Sequence, residues 1–189
     1  MLVYHGSPNK FDTFSYDKIR TNGTMEGPGF YFTDNKEVAK RYGNSGYLYT
    51  IELNINKSLS NEMKTLTKNE VKTLIEALPE DIDFLSNYGD VDYEGYDEVM
   101  ERALDSEYTY ADSDTDILGS LYNACGENQN IIKLFYSELG YDSIIAKPNW
   151  GENQTVYVAL TNDIIQIKDV TPLWNYSWIK LLTNASFHV

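Results

Sequence analysis

The chain is short of the residues on which several functional classes depend. It has one cysteine, Cys125, so no intrachain disulfide can form, and a reducing compartment suits it. The neighbours Asn123, Ala124 and Gly126 offer no base to activate that thiol. Histidine occurs only twice, and no metal site is expected. No run of about 18 apolar residues is present, which excludes a helical membrane span. No basic stretch followed by an apolar one precedes the first strand pattern, which argues against a secretion signal and for a cytoplasmic protein. Positive charge is scarce: 15 Lys and Arg stand against 29 Asp and Glu, for a net charge of −14. The deficit is local, since residues 80–116 hold fourteen acids and a single base, Arg102. Such a surface repels nucleic acid, so neither DNA nor RNA is an expected partner. It would suit a basic protein surface, including one that itself holds nucleic acid. The ordinary alternative is a solvated acidic face that serves solubility.

Aromatic and aliphatic residues, by contrast, are plentiful. With 189 residues and 42% hydrophobic content, the chain can bury a substantial core as one domain over 1–189. Residues 2–6 and 30–33 read as strands, separated by a polar, irregular stretch over 9–26. Asp34, with Glu37 three residues on, has the form of a capping box for a helix reaching Tyr42. Tyr47, Tyr49, Ile51, Leu53 and Ile55 alternate with less apolar residues, a period-two strand. Thr67 and Glu70 form a second capping box, before a helix with Val71, Leu74, Ile75 and Leu78 on one face. Within the acidic insertion, about 80–118, a helix is expected near 94–105. Further helices are expected over 115–124 and 127–139, the second stopped by Gly140. Strands at 141–146, 155–160 and 164–168 follow, then a tail over 171–189 whose Trp174 and Trp178 should pack on the domain. Strands, helices and strands in that order argue an α+β fold with a mainly antiparallel sheet.

Three groups of residues carry chemistry. Tyr4-His5-Gly6-Ser7 is followed by Gly27-Pro28-Gly29-Phe30-Tyr31-Phe32-Thr33-Asp34, and then by Ala39 and Tyr42. Near the other end stand Leu139-Gly140-Tyr141-Asp142-Ser143-Ile144-Ile145 and Val156-Tyr157-Val158-Ala159-Leu160. A lone His-Gly or Gly-x-Gly is common, and any one of 16 tyrosines is weak evidence; the order and spacing are what inform.

That order resembles the ADP-ribosyltransferase superfamily, in the branch called H-Y-E after its three motif residues, which includes diphtheria toxin and the poly(ADP-ribose) polymerases. It resembles still more the ADP-ribosyltransferase domains of phage and mobile-element polyvalent proteins. The resemblance spans most of residues 2–170 and implies a split antiparallel β-sheet with flanking helices, and NAD as substrate. Nicotinamide is a flat ring with a carboxamide, offering two donors and one acceptor. Gly6, lacking a Cβ, would meet the carboxamide with its own N–H and C=O. Tyr31 and Tyr42 would sandwich the ring, with Phe32 beside them. His5, with Ser7 nearby, would bond a ribose. Ala39 falls where polymerase members place a carboxamide-bonding Ser. Arg20, between the motifs, is a candidate for the pyrophosphate or an ordinary surface charge.

The sequence departs from the family at one decisive place. The catalytic Glu of the family stands where this chain has Val156. Under strand alternation Gln154 and Glu152 share that face, provided the strand extends back that far. Gln154 would orient a ribose but cannot neutralise positive charge; Glu152 has the charge but lies further away. A missing Glu argues against polymer formation and leaves transfer of a single ADP-ribose to a protein target, by analogy a host defence or other host protein met by a phage. NAD glycohydrolysis is a second reading. A third is a non-catalytic acidic inhibitor, or nucleic-acid mimic, built on the same scaffold.

Overall fold

A computed structural model describes residues 1–19, 26–63, 65–77, 113–124, 129–147 and 153–173. The period-two segments become strands β1 (Leu2–Ser7), β2 (Phe30–Thr33), β3 (Tyr47–Leu53), β5 (Ser143–Ala146), β6 (Val156–Ala159) and β7 (Ile165–Pro172), joined by a short β4 (Ser58–Ser60). They form one seven-stranded sheet in the order β4-β5-β6-β2-β1-β3-β7. Every neighbouring pair is antiparallel except β4 with β5. The helices are α1 (Lys36–Gly43), α2 (Lys68–Glu76), α3 (Asp114–Ala124) and α4 (Gln129–Ser137). The expected insertion helix near 94–105, Cys125 and the tail from Trp174 lie outside the described residues.

Strand alternation gives the sheet two apolar faces. On one, Leu59, Ile144, Val156 and Val158 meet Val71 and Leu74 of α2, Leu118 of α3, and Ile132 and Phe135 of α4. On the other, Val3, Phe30, Phe32, Tyr49 and Ile51 are covered by Phe11 and Phe14 from the segment after β1. The first face also carries α1, whose Ala39 packs with Leu48 and Leu173. Gly6 is small because of this packing: a Cβ there would run into the Ala39 carbonyl and the Gly43 nitrogen.

Two helix starts differ instructively. Thr67 and Glu70 form the reciprocal capping box, each side chain accepting the other's backbone N–H at 2.9 and 3.2 Å. At α1 the cap is Asn35 rather than Asp34: its Oδ1 accepts Glu37 N–H (3.1 Å) and Val38 N–H (3.3 Å). Asp34 is drawn sideways instead, accepting Thr155 N–H across the sheet at 2.9 Å. At the end of α4, Gly140 takes φ 72° and the Tyr141 N–H bonds back to Phe135, the expected glycine stop.

Part of the acidic block is internal. Asp114, fully buried, accepts hydrogen bonds from the Ser60, Thr65 and Leu66 N–H groups and the Thr65 hydroxyl. It ties the turn after β4 to the start of α3. Among the described residues no helix is long and apolar enough to cross a membrane.

Candidate active site

The site lies where the sheet splits between β1 and β2. Met1 and Leu53 exchange two backbone hydrogen bonds, each 2.8 Å. In an antiparallel ladder such bonded pairs alternate with non-bonded ones. The register sets Val3 opposite Ile51, His5 opposite Tyr49 and Gly6 opposite Leu48, so Gly6–Leu48 is a non-bonded pair. The N–H and C=O of Gly6 therefore turn away from β3, toward β2. There the ladder is a single residue pair, Tyr4 with Thr33. The Tyr31 carbonyl, which the next ladder bond from Gly6 would use, accepts a hydrogen bond from His5 Nδ1 at 2.8 Å. The outcome is a gap walled by the main chain of Gly6 and by β2.

A carbonyl can only accept, so His5 Nδ1 carries the proton and Nε2 presents a lone pair in the neutral ring. Burial lowers the imidazole pKa below its ordinary value, against a smaller upward pull from the Tyr31 carbonyl. The ring is fixed edge-on by Phe11, Phe14 and Tyr49, and Phe32 tilts against it. Phe32 is thus a core residue that steadies His5, 2% exposed. Ser7, on the same face, is buried and its Oγ accepts Asn9 N–H at 3.2 Å, shaping the turn that leaves β1.

Tyr31 projects from the opposite face of β2, the face it shares with Gly6 and Val156. Its hydroxyl donates to the Gly27 carbonyl (2.6 Å) and accepts Glu26 N–H (3.2 Å). Burial raises its pKa well above the ordinary value, so the phenol stays neutral. Two positive-φ glycines make the loop possible: Gly27 rests on Ile144 and Gly29 on Val158. Glu26, buried at 6% exposure, is bonded by Asn61 Nδ2 at 2.9 Å. Sequence reasoning passed over Glu26 and Asn61; only the loop's path across the sheet brings them together. Tyr42 sits one turn past the buried Ala39 and is 72% exposed, in the open rather than against another ring.

At the far end of the same face Val156 pairs with Thr33 on one side and Ala146 on the other, and is 8% exposed. The strand does not extend back to Gln154, since β6 begins at Val156; the Gln154 Oε1 nonetheless accepts from the Thr33 hydroxyl at 2.9 Å. Gln154 also lines an open cavity of about 710 Å³ with Asp34, Asn35, Lys36, Glu37, Lys147, Asn153 and Thr155. Arg20 and Glu152 lie outside the described residues.

A split sheet of this order, with helices α1–α4 on one face, is an ADP-ribosyltransferase-like α+β fold. A family model described as ADP-ribosyltransferase in polyvalent proteins matches residues 1–172, and the chain belongs to that family. The family's reaction takes NAD as substrate. No curated protein matches the chain significantly. A solved structure titled "Crystal structure of an anti-CRISPR protein" aligns over 88% of this chain and 93% of that one, at 20% identity and a TM-score of 0.37, too loose a likeness to bear on function.

Proposed function

We propose that the protein binds NAD in the β1–β2 gap and transfers a single ADP-ribose to a protein target. The observation that supports this best is the Gly6 main chain, whose N–H and C=O turn into the gap beside the Tyr31 ring. A carboxamide needs one acceptor and one donor side by side, and a strand edge presents both. Tyr31 would form one wall of the ring's slot, and the exposed Tyr42 would close over the other side. His5 Nε2 would accept a ribose hydroxyl, with Ser7 holding the turn that follows; Phe32 and Ala39 would shape the pocket from behind. Gln154 would orient the second sugar edge; Glu152 is a candidate carboxylate and Arg20 a candidate for the pyrophosphate, both outside the described residues.

NAD supplies a sugar already bonded to a good leaving group. The chain's part is to orient it, exclude water and stabilise charge. In the transfer the C1′–N bond to nicotinamide breaks and its electron pair leaves with nicotinamide. The acceptor's lone pair forms the new bond to C1′, and its proton passes to solvent.

The target is a protein with a basic surface complementary to the acidic insertion, met in the cytoplasm of a phage host. The test is incubation with labelled NAD and a host lysate, followed by mass spectrometry. A labelled protein is expected; free ADP-ribose alone would instead mark an NAD glycohydrolase. Val156 in place of a carboxylate favours a second reading, a non-catalytic acidic inhibitor on this scaffold. In that case Tyr31→Ala would leave function intact, and charge reversal across 90–107 would abolish it.

A further inference from the structure

Val156 leaves the site without a carboxylate on β6, yet the sugar must still become cationic as nicotinamide leaves. Among the described residues three acids lie beside the Tyr31 hydroxyl or line the cavity at Gln154, a cavity that His5, Gly6 and Tyr31 do not line. Glu26 is buried behind the Tyr31 hydroxyl, is held by Asn61 and does not line the cavity. Glu37 lines the cavity but points outward, its side chain 76% exposed and paired with Lys40. Asp34 is exposed as well, but it is held by the main chain of the neighbouring strand end rather than by a surface lysine.

Asp34 follows directly on β2 and is bonded twice to Thr155, the residue before Val156. Its N–H donates to the Thr155 carbonyl at 3.3 Å, and its Oδ1 accepts the Thr155 N–H at 2.9 Å. Backbone N–H groups lie in the plane of a sheet. The carboxylate is therefore held at the end of β2 and β6, on neither face, and it lines the cavity beside Gln154. Thr33 joins the two, donating its hydroxyl to Gln154 Oε1 and accepting Asn35 N–H at 3.0 Å. The ordinary role of the aspartate next to a strand end is to cap a helix, but Asn35 already does this for α1.

We infer that Asp34 supplies the negative charge that Val156 does not, opposing the positive charge that develops at C1′ and O4′ of the ribose, with Gln154 holding a ribose hydroxyl. This rests on the NAD reading above. No bond to Asp34 forms or breaks; it acts by charge alone. A carboxylate fixed at the rim of an open cavity acts most in the transition state, where the opposite charge is largest.

The test compares Asp34→Asn with the wild type and with Glu37→Gln, using NAD, with the host lysate as source of the acceptor where the rate is read. Three quantities are read: the melting temperature without ligand, its rise with NAD, and the rate of nicotinamide release. Asn keeps an oxygen for Thr155 N–H and removes only the charge. Asp34→Asn should melt near the wild type, show the same NAD-dependent rise, and release nicotinamide on the order of 10²-fold more slowly. Asp34→Glu should recover part of the rate, and Glu37→Gln should keep all of it. A near-native rate in Asp34→Asn overturns the assignment and leaves NAD use standing. So does an equal loss in Glu37→Gln, which would make the effect one of general charge. Loss of both folding and the NAD-dependent rise in Asp34→Asn would reduce the residue to a structural strut. A wild type that binds NAD without cleaving it also overturns the assignment. If the wild type neither binds nor cleaves NAD, the NAD reading falls first.

Discussion

His5 ties two strands of the fold together, and in the NAD proposal it would also bond a ribose. Its Nδ1–H takes the Tyr31 carbonyl at the β1–β2 split, and burial keeps the ring neutral. The sign of the resulting pH effect follows. In the unfolded chain the imidazole titrates near its ordinary 6.5, whereas the folded ring resists the proton. The unfolded state therefore binds more protons as pH falls below that value, and stability falls with it. Melting curves between pH 7.5 and about 5 should show a smaller loss for His5→Asn than for the wild type. Equal losses would mean that the ring protonates freely in place. Tyr31 and Tyr42 separate in the same way. Tyr31→Phe removes the strut to Gly27 and leaves the Glu26 N–H without its acceptor, which should cost about 1–2 kcal/mol in chemical denaturation. Tyr42→Phe should change neither stability nor NAD turnover much, because an exposed ring stacks without its hydroxyl. Turnover as low in Tyr42→Phe as in Tyr42→Ala would assign chemistry to the hydroxyl.

Between elements, the sequence was most legible where periodicity was strong. Tyr47–Leu53 alternates apart from Leu48, which is buried with Ala39 on the other face, and Thr67 and Glu70 announce their helix. Where tertiary contacts decide, it was not. Asp34 fits a capping box until Thr155 arrives from 121 residues away and claims its carboxylate. β4 is Ser-Leu-Ser, three residues with no period to read, and becomes a strand only because β5 pairs with it. Gly6 reads as a ligand contact, while its missing Cβ also makes room for the backbone of α1. Gly6→Ala should therefore destabilise by about 1–3 kcal/mol even without NAD, measured by denaturant midpoint. A neutral result would show that α1 can shift to admit a methyl group. Asp114 is the other case: it belongs by composition to a solvated acidic block, yet it satisfies three backbone N–H groups in the interior. Asp114→Ala should cost about 3 kcal/mol or more, since each buried donor left unpaired carries its own penalty. A loss of under about 1 kcal/mol by denaturant midpoint would mean that water replaces the carboxylate.

At the scale of the whole molecule, the sheet has two halves divided by one split. The β4-β5-β6-β2 side carries α2, α3, α4 and the Tyr31 loop; the β1-β3-β7 side carries His5, Gly6 and α1. The strands on each side are knit by longer ladders, whereas β1 and β2 share a single residue pair and the His5–Tyr31 bond. A ligand seated in that split would bridge both halves and should stabilise the molecule as a unit. Binding confined to the folded state raises stability by RT ln(1 + [L]/Kd), about 2.7 kcal/mol at one hundred times Kd. The decisive measurement is the melting temperature of the wild type with NAD and with nicotinamide, each titrated to millimolar concentration beside Tyr31→Ala. The account predicts a concentration-dependent rise with both ligands, larger for NAD, and none in the variant. An unchanged melting temperature in the wild type, or an equal rise in Tyr31→Ala, would contradict it.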